Sequence, residues 1–304
     1  MPERRPSFTP QLAVLASTVL WGTLWIPVRR MHEAGSSGAC ATTIGFLVPL
    51  AVLLPAALWR GPRTLRGLRA AAAPGLWLAL AIALYTEALV RGEIAHAILL
   101  FYLTPVWSTL LARIALGEPI TARRLATIVL GLTGMLLIFG AGAAAPFPVA
   151  PAHWMGLAAG VAWAVAMLTA NRARSRPIFD RLLAQFAFLG PVFFLVTLIP
   201  GGGAATGFDI QLHADSLLWL LAFALVWMLP VVWLTLFGAS HVEPGRFAVL
   251  LMFEVVVGLT TVALLTDEPL GPREIAGALL ILGASGAELA FDRRAGPAIG
   301  AGFK

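Results

Sequence analysis

Gly117-Glu118-Pro119-Ile120 and Asp267-Glu268-Pro269-Leu270 are two versions of one elbow, each set between long apolar runs. In both, an Arg follows four residues after the Pro (Arg123, Arg273), and another apolar run follows the Arg. The chain therefore reads as one membrane unit written twice. Carriers built from such duplications bind their substrate where the repeats meet, near the bilayer midplane.

The composition decides the solvent. With 59% hydrophobic and 12% charged residues over 304 positions and a mean hydropathy of +0.88, there is too little polar surface to cover a water-soluble globule. A membrane-spanning helix needs about 20 mostly apolar residues. Such runs fall at 11–28, 38–59, 71–90, 95–116, 123–141, 153–171, 182–200, 216–237, 247–266 and 273–291. The fold class expected is all-α integral membrane, with ten transmembrane helices as two inverted five-helix repeats. The first run is long enough to span and has no small-residue cleavage site, so it reads as the first helix rather than a signal peptide. The single cysteine, Cys40, excludes an intramolecular disulfide and a Cys-based metal cluster, and reads as a small packing residue.

The basic residues set orientation. Taking every second extramembrane segment from the N-terminus collects Arg4, Arg5, the Arg60 to Arg69 group, Arg113, Arg123, Arg124, the Arg172 to Arg181 group, Arg246, Arg293, Arg294 and Lys304. The other set holds only Arg29, Arg30, Arg91 and Arg273, so the split is 17 against 4. By the positive-inside rule both termini are cytoplasmic. The high pI of about 10.9 thus belongs to topology, not to nucleic-acid binding. Five spans per repeat is an odd number, so the second copy (148–304) enters the membrane upside down relative to the first (1–147). A fainter echo joins the opening helices, where Trp21 to Arg30 and Trp163 to Arg172 share the Trp and the final Arg. Ala143 to Pro151 reads as an external linker, and Pro200 to Asp215, with three consecutive glycines, as an external loop.

Ten spans, a Glu-Pro elbow after the fourth and ninth, and the long apolar run from Ile98 to Phe139 resemble the drug/metabolite transporter superfamily, in its EamA-type branch. Within it the chain is similar to bacterial exporters of amino acids and related metabolites, including aromatic ones. The resemblance implies a bacterial cytoplasmic (inner) membrane location, a small-molecule substrate, and a cavity lined by the first, third, fourth, sixth, eighth and ninth helices.

Ionisable groups deep in a membrane are costly and mark function by default. Counting from a helix start near Phe247, Glu254 lies about two turns in, at roughly 10 Å depth, with Gly258 and Thr261 on the same face. It reads as a ligand for a substrate amine or a carrier of a coupling proton; a protonated structural glutamate bonded to a neighbouring helix is the other reading. Trp21 and Trp163 fall at mid-span, where indoles are unusual, and an inverted repeat makes them face each other. Trp25 lies one turn beyond the first; Met167 and Asn171 follow the second. Tyr85 and Tyr102, the chain's two tyrosines, sit on helices expected to line the cavity, as does Trp227, the last of an aromatic stripe with Trp219 and Phe223. Cavity lining and plain helix packing are both open for these aromatics. Pro105 bends the fourth helix. Glu87 and Arg91 form an i, i+4 pair near the outer interface, either a surface pair beside Glu93 and His96 or an external gate. Glu288 reads as structural and water-reaching at the cytoplasmic end of the last helix. Gly156 and Gly160 form a GxxxG pair that allows close helix approach, so both a monomer and a homodimer fit.

Without paired acids for a divalent ion, a His or Asp cluster, or a phosphate-binding loop in the spans, an intramembrane enzyme acting on a lipid or small apolar substrate is the losing alternative, and no cofactor or metal is called for. The reading is a secondary transporter working by alternating access, with a proton as candidate coupling ion.

Overall fold

The computed structural model describes residues 9–34, 39–91, 94–139, 150–197, 214–266 and 270–292; within these, the side chains of 9, 32, 39–43, 90–91, 94–96, 197, 214–215 and 291–292 fall outside the description. Asp267, Glu268 and Pro269 of the second elbow, most of the linker and of the glycine-rich loop, Glu93, and the side chains of Cys40, Arg91 and His96 therefore lie outside the described residues.

The described chain is helical throughout: α1 (Thr9–Gly22), α2 (Trp25–Glu33), α3 (Ala39–Trp59), α4 (Pro62–Ala70), α5 (Ala72–Arg91), α6 (Ile94–Phe101), α7 (Thr104–Leu116), α8 (Ala122–Phe139), α9 (Pro151–Arg172), α10 (Ile178–Thr197), α11 (Ala214–Ala222), a π-helical stretch (Phe223–Met228), α12 (Leu229–Ala239), α13 (Pro244–Leu251), α14 (Phe253–Leu265) and α15 (Pro272–Asp292). Eight helical stretches, from Pro10–Met31 to Pro244–Leu265, are long and apolar enough to cross a membrane. Two more helices stand outside that count: α3, apolar over Ile44–Trp59, and α15.

Local chemistry explains the boundaries. Pro occupies the first turn of α4, α7, α9 and α13, where its missing N–H costs nothing and its φ suits helix entry. At the first elbow α7 stops on Gly117 at φ 73°, whose N–H bonds back to the Ala112 carbonyl; a left-handed C-terminal position favours glycine. The segment α4 reads in sequence only as a basic connector. It is a short helix with Arg63, Arg66 and Arg69 and no buried residue, consistent with a surface helix.

Three of the long apolar runs are interrupted near their middles. The first breaks between Gly22 and Trp25, the fourth at Tyr102-Leu103, and the ninth at Met252. The fourth follows from Pro105, which has no N–H to offer the preceding turn. The ninth has no proline; its break is a tightened turn, with Met252 N–H on the Val249 carbonyl and Val255 N–H on the Met252 carbonyl. The two broken rods divide alike: α6 and α13 have 8 residues, α7 and α14 have 13.

Glycine sets the closest approaches. A Cβ at Gly22 would lie 2.5 Å from the Glu254 carbonyl oxygen, and one at Gly160 would lie 2.7 Å from that of Phe101, so each of these glycines lets a helix sit directly on a neighbour's break. Gly134 and Gly277 meet the same way, each 2.6 Å from the other's carbonyl oxygen, bringing α8 and α15 together. The Gly156/Gly160 pair is thus used within the chain, against Ala97 and Phe101, which removes it as a surface for a dimer.

Candidate functional site

The breaks in α6–α7 and α13–α14 bring the Tyr102 hydroxyl to the Glu254 carboxylate, to which it donates a hydrogen bond. Tyr102 is buried and Glu254 half-buried. Because α13 starts at Pro244 rather than near Phe247, Glu254 is ten residues into its rod, about 15 Å at 1.5 Å per residue. That is half the thickness of a bilayer core, deeper than the sequence reading put it.

An aromatic chain starts from this pair at Tyr102. Tyr85 lies against Phe101 with ring centroids 4.4 Å apart, Phe101 against Tyr102 at 5.2 Å and against Trp163 at 5.8 Å, and Trp163 meets Trp21 edge-on at 5.8 Å. The expected facing of Trp21 and Trp163 is realised as this edge-to-face contact. Phe101, the hub, went unremarked in sequence because one Phe in an apolar run carries no signal of its own.

Three indole-to-hydroxyl hydrogen bonds clamp the first rod to its neighbours. Trp21 Nε1 donates to Thr235 Oγ1 at 3.2 Å, Trp25 Nε1 to Thr261 Oγ1 at 3.1 Å, and Trp227 Nε1 to Thr23 Oγ1 at 3.1 Å. With their N–H groups engaged, these rings present their faces. Trp21, Trp25, Trp227 and Tyr85 are all half-buried. Thr23 and Thr235 were missed, since threonines in apolar helices commonly just bond their own backbone; only the partner's position distinguishes these two.

The remaining sequence candidates separate from this centre. Met167 is fully buried and packs in the main apolar core. Asn171 lies two helical turns beyond Trp163, where its amide donates to the Ala239 carbonyl at 3.2 Å; it ties α9 to the end of α12. Pro105 is buried in the first turn of α7. Glu87 is buried rather than at a surface, and Arg91 gives no side-chain geometry to test the pair.

Glu288 does not reach water. It is 3% exposed and takes a hydrogen bond from Thr127 Oγ1 at 2.7 Å, with Arg124 Nε and Arg246 Nε each at 3.5 Å. Arg124 also pairs with Glu243 at 2.7 Å. Glu118 of the first elbow stands beside this group: burial lifts its carboxyl above the usual range, Glu243 adds to the rise, and Arg124 and Arg246 pull against it.

An EamA-like transporter family model matches residues 9–140. Over this stretch the chain is similar to the EamA-like transporter family. The matched stretch runs from α1 through α8, ending just beyond the first elbow and the helix that follows it. An uncharacterized transporter of Archaeoglobus fulgidus is 25% identical over 247 residues, covering 80% of this chain and 83% of its own. A solved crystal structure superposes over 94% of this chain and 98% of its own with a TM-score of 0.71 at 21% identity, a likeness of fold. With eight helical stretches long and apolar enough to cross a bilayer, the chain is a multi-pass membrane protein, similar to transporters over its first half.

Proposed function

We propose that this chain is a secondary carrier that moves a small amphipathic metabolite bearing an amine, an amino acid or related aromatic solute, out across a bacterial cytoplasmic membrane by alternating access. The observation that carries it is the Tyr102–Glu254 pair where two broken rods meet at mid-depth. A half-buried carboxylate beside an aromatic chain suits a cationic group on a flat body. The same carboxylate is the candidate for a coupling proton. The substrate-contacting residues are Trp21, Trp25, Tyr85, Tyr102, Trp163, Trp227 and Glu254, with Pro105 at the bend.

The architecture proposed is ten spans in two inverted five-helix repeats, 1–147 and 148–304, with both termini cytoplasmic. Packing supports it. If the first helix of each repeat corresponds to the other's, α1 on α12 and α14 has its mate in α9 on α5 and on α6–α7; α10 on α5 has its mate in α3 on α11 and the π stretch; α8 on α15 is its own mate. The broken rods agree in register, since α13 and α14 run from 244 to 265 and their mates from 94 to 116, with Glu118 and Glu268 also 150 positions apart. On that register Glu254 corresponds to Thr104.

Counterflow in proteoliposomes, tried solute by solute with and without a pH gradient, is the test. Amino acids and aromatic amines are expected to exchange, and Glu254→Gln to lower the rate about ten-fold or more, the equivalent of about 1.4 kcal/mol. Unchanged rate and unchanged pH dependence in that variant reject the assigned role of the carboxylate.

A further inference from the structure

The Arg124, Glu243, Arg246 and Glu288 group is not used by the site above, yet it joins the two halves: Arg124 and Thr127 stand on α8, Glu243 and Arg246 at the start of α13, Glu288 on α15. Gly245 belongs to it as well. A Cβ there would collide with the Arg124 guanidinium and lie 2.9 Å from Thr109 Oγ1, so only glycine admits the arginine. Between this group and the Tyr102–Glu254 pair runs α7, whose buried face is Thr104, Pro105, Ser108, Thr109 and Ala112. On it two buried polar atoms, Ser108 Oγ and Thr109 Oγ1, have no hydrogen-bond partner, and the same holds for the adjacent Trp107 Nε1. Buried groups of this kind are normally satisfied by water or a ligand.

Burial is lopsided along the same rod. In α13, next to the ion pairs, Pro244, Gly245 and Phe247 to Leu251 are all buried, whereas in α14 only Val255 and Val256 are. Residues 20–26 of the first rod are all half-buried, and Pro27 beyond them is buried. The end carrying the ion pairs is the more tightly packed one.

We infer that the path from Glu254 to the cytoplasm runs along the α7–α13 seam past Ser108 and Thr109, and that Arg124 with Glu243 and Glu288 is the latch that shuts it. This rests on the carrier reading and on the orientation proposed above. Opening toward the cytoplasm separates α8 from α13 and α15 and breaks the Arg124 pairs; the freed hydroxyls of α7 then line the way out. Partly buried ion pairs between two moving bodies are suited to this task, since they fix one arrangement and are lost together when the bodies part.

The test is the reactivity of a single cysteine, Ser108→Cys in a Cys40→Ser background, in vesicles of known sidedness with a membrane-impermeant thiol reagent. Glu243→Gln and, separately, Gly245→Ala are expected to speed labelling from the cytoplasmic side about ten-fold by shifting population toward the open state. Glu118→Gln, which removes the acid beside Glu243, is expected to slow it. Gly245→Ala acts by sterics and Glu118→Gln in the opposite direction, so a folding defect in one variant does not mimic the pattern. Equal labelling across all three, or labelling from the outer side alone, overturns the latch. The labelling arm needs no substrate: an inert Glu254→Gln removes the carrier site and leaves this result standing, while insensitive labelling removes the latch alone.

Discussion

At the residue scale the chemistry concentrates in two carboxylates with opposite duties. Glu254 meets one phenol, Glu288 meets two guanidiniums and a threonine. The first was legible in sequence as an acid inside an apolar run. The second was misjudged, because distance from a helix end measures depth along the rod and says nothing of the arginines that α8 and α13 bring to it. Tyr102→Phe keeps the ring packing and removes the donor; leaving the carboxylate short of a buried partner is expected to cost about 1–3 kcal/mol, read as a lower melting temperature in detergent, and an unchanged value would place the tyrosine hydroxyl outside any stabilising role. Glu118 gives a pH prediction. Its carboxyl is raised in the folded chain, so the folded state holds that proton more readily than the unfolded one. Its favourable contribution is present at low pH and fades as pH climbs through the raised value. The stability difference between Glu118→Gln and the natural chain should therefore shrink as pH falls from about 7 toward the ordinary carboxylate range near 4.3, measured as the gap between two melting curves; a gap independent of pH speaks against the shift.

At the scale of elements, hydropathy gave helix ends within a few residues almost everywhere, since a bilayer core demands that length and little else. What it could not give were the breaks. Pro105 announced the one at Tyr102-Leu103, while those after Gly22 and at Met252 arise from packing: Gly22 seats one rod on the other's carbonyl at Glu254. Gly22→Ala must push the first rod away from that carbonyl, an overpacking cost of about 1–3 kcal/mol, and it should depress counterflow more than it lowers the melting temperature of a matched control such as Gly286→Ala, where a Cβ meets nothing within 4 Å. Equal behaviour of the two variants would sink the idea that this contact positions the acid. The indole clamps on Thr23, Thr235 and Thr261 were likewise beyond sequence, because each needs two distant rods in register.

For the whole molecule, the inverted topology is a proposal drawn from the paired elbows around Glu118 and Glu268 and the Arg bias, and the reciprocal packing of the two halves is consistent with it. Tags inserted after Gly117 and after Asp267 are expected to emerge on opposite sides of the membrane, the first in the cytoplasm; emergence on one side would falsify the inverted arrangement and with it the sidedness of the latch.

The matched halves of 8 and 13 residues have one difference that matters for work rather than shape. On the proposed register Glu254 has a threonine, Thr104, at the corresponding place in the other half. A symmetric ancestor with an acid in each copy would hold two negative charges side by side. If Glu254 is the seat proposed above, its single carboxylate would limit that seat to one proton or one cationic group per turnover and make solute and proton rivals for it.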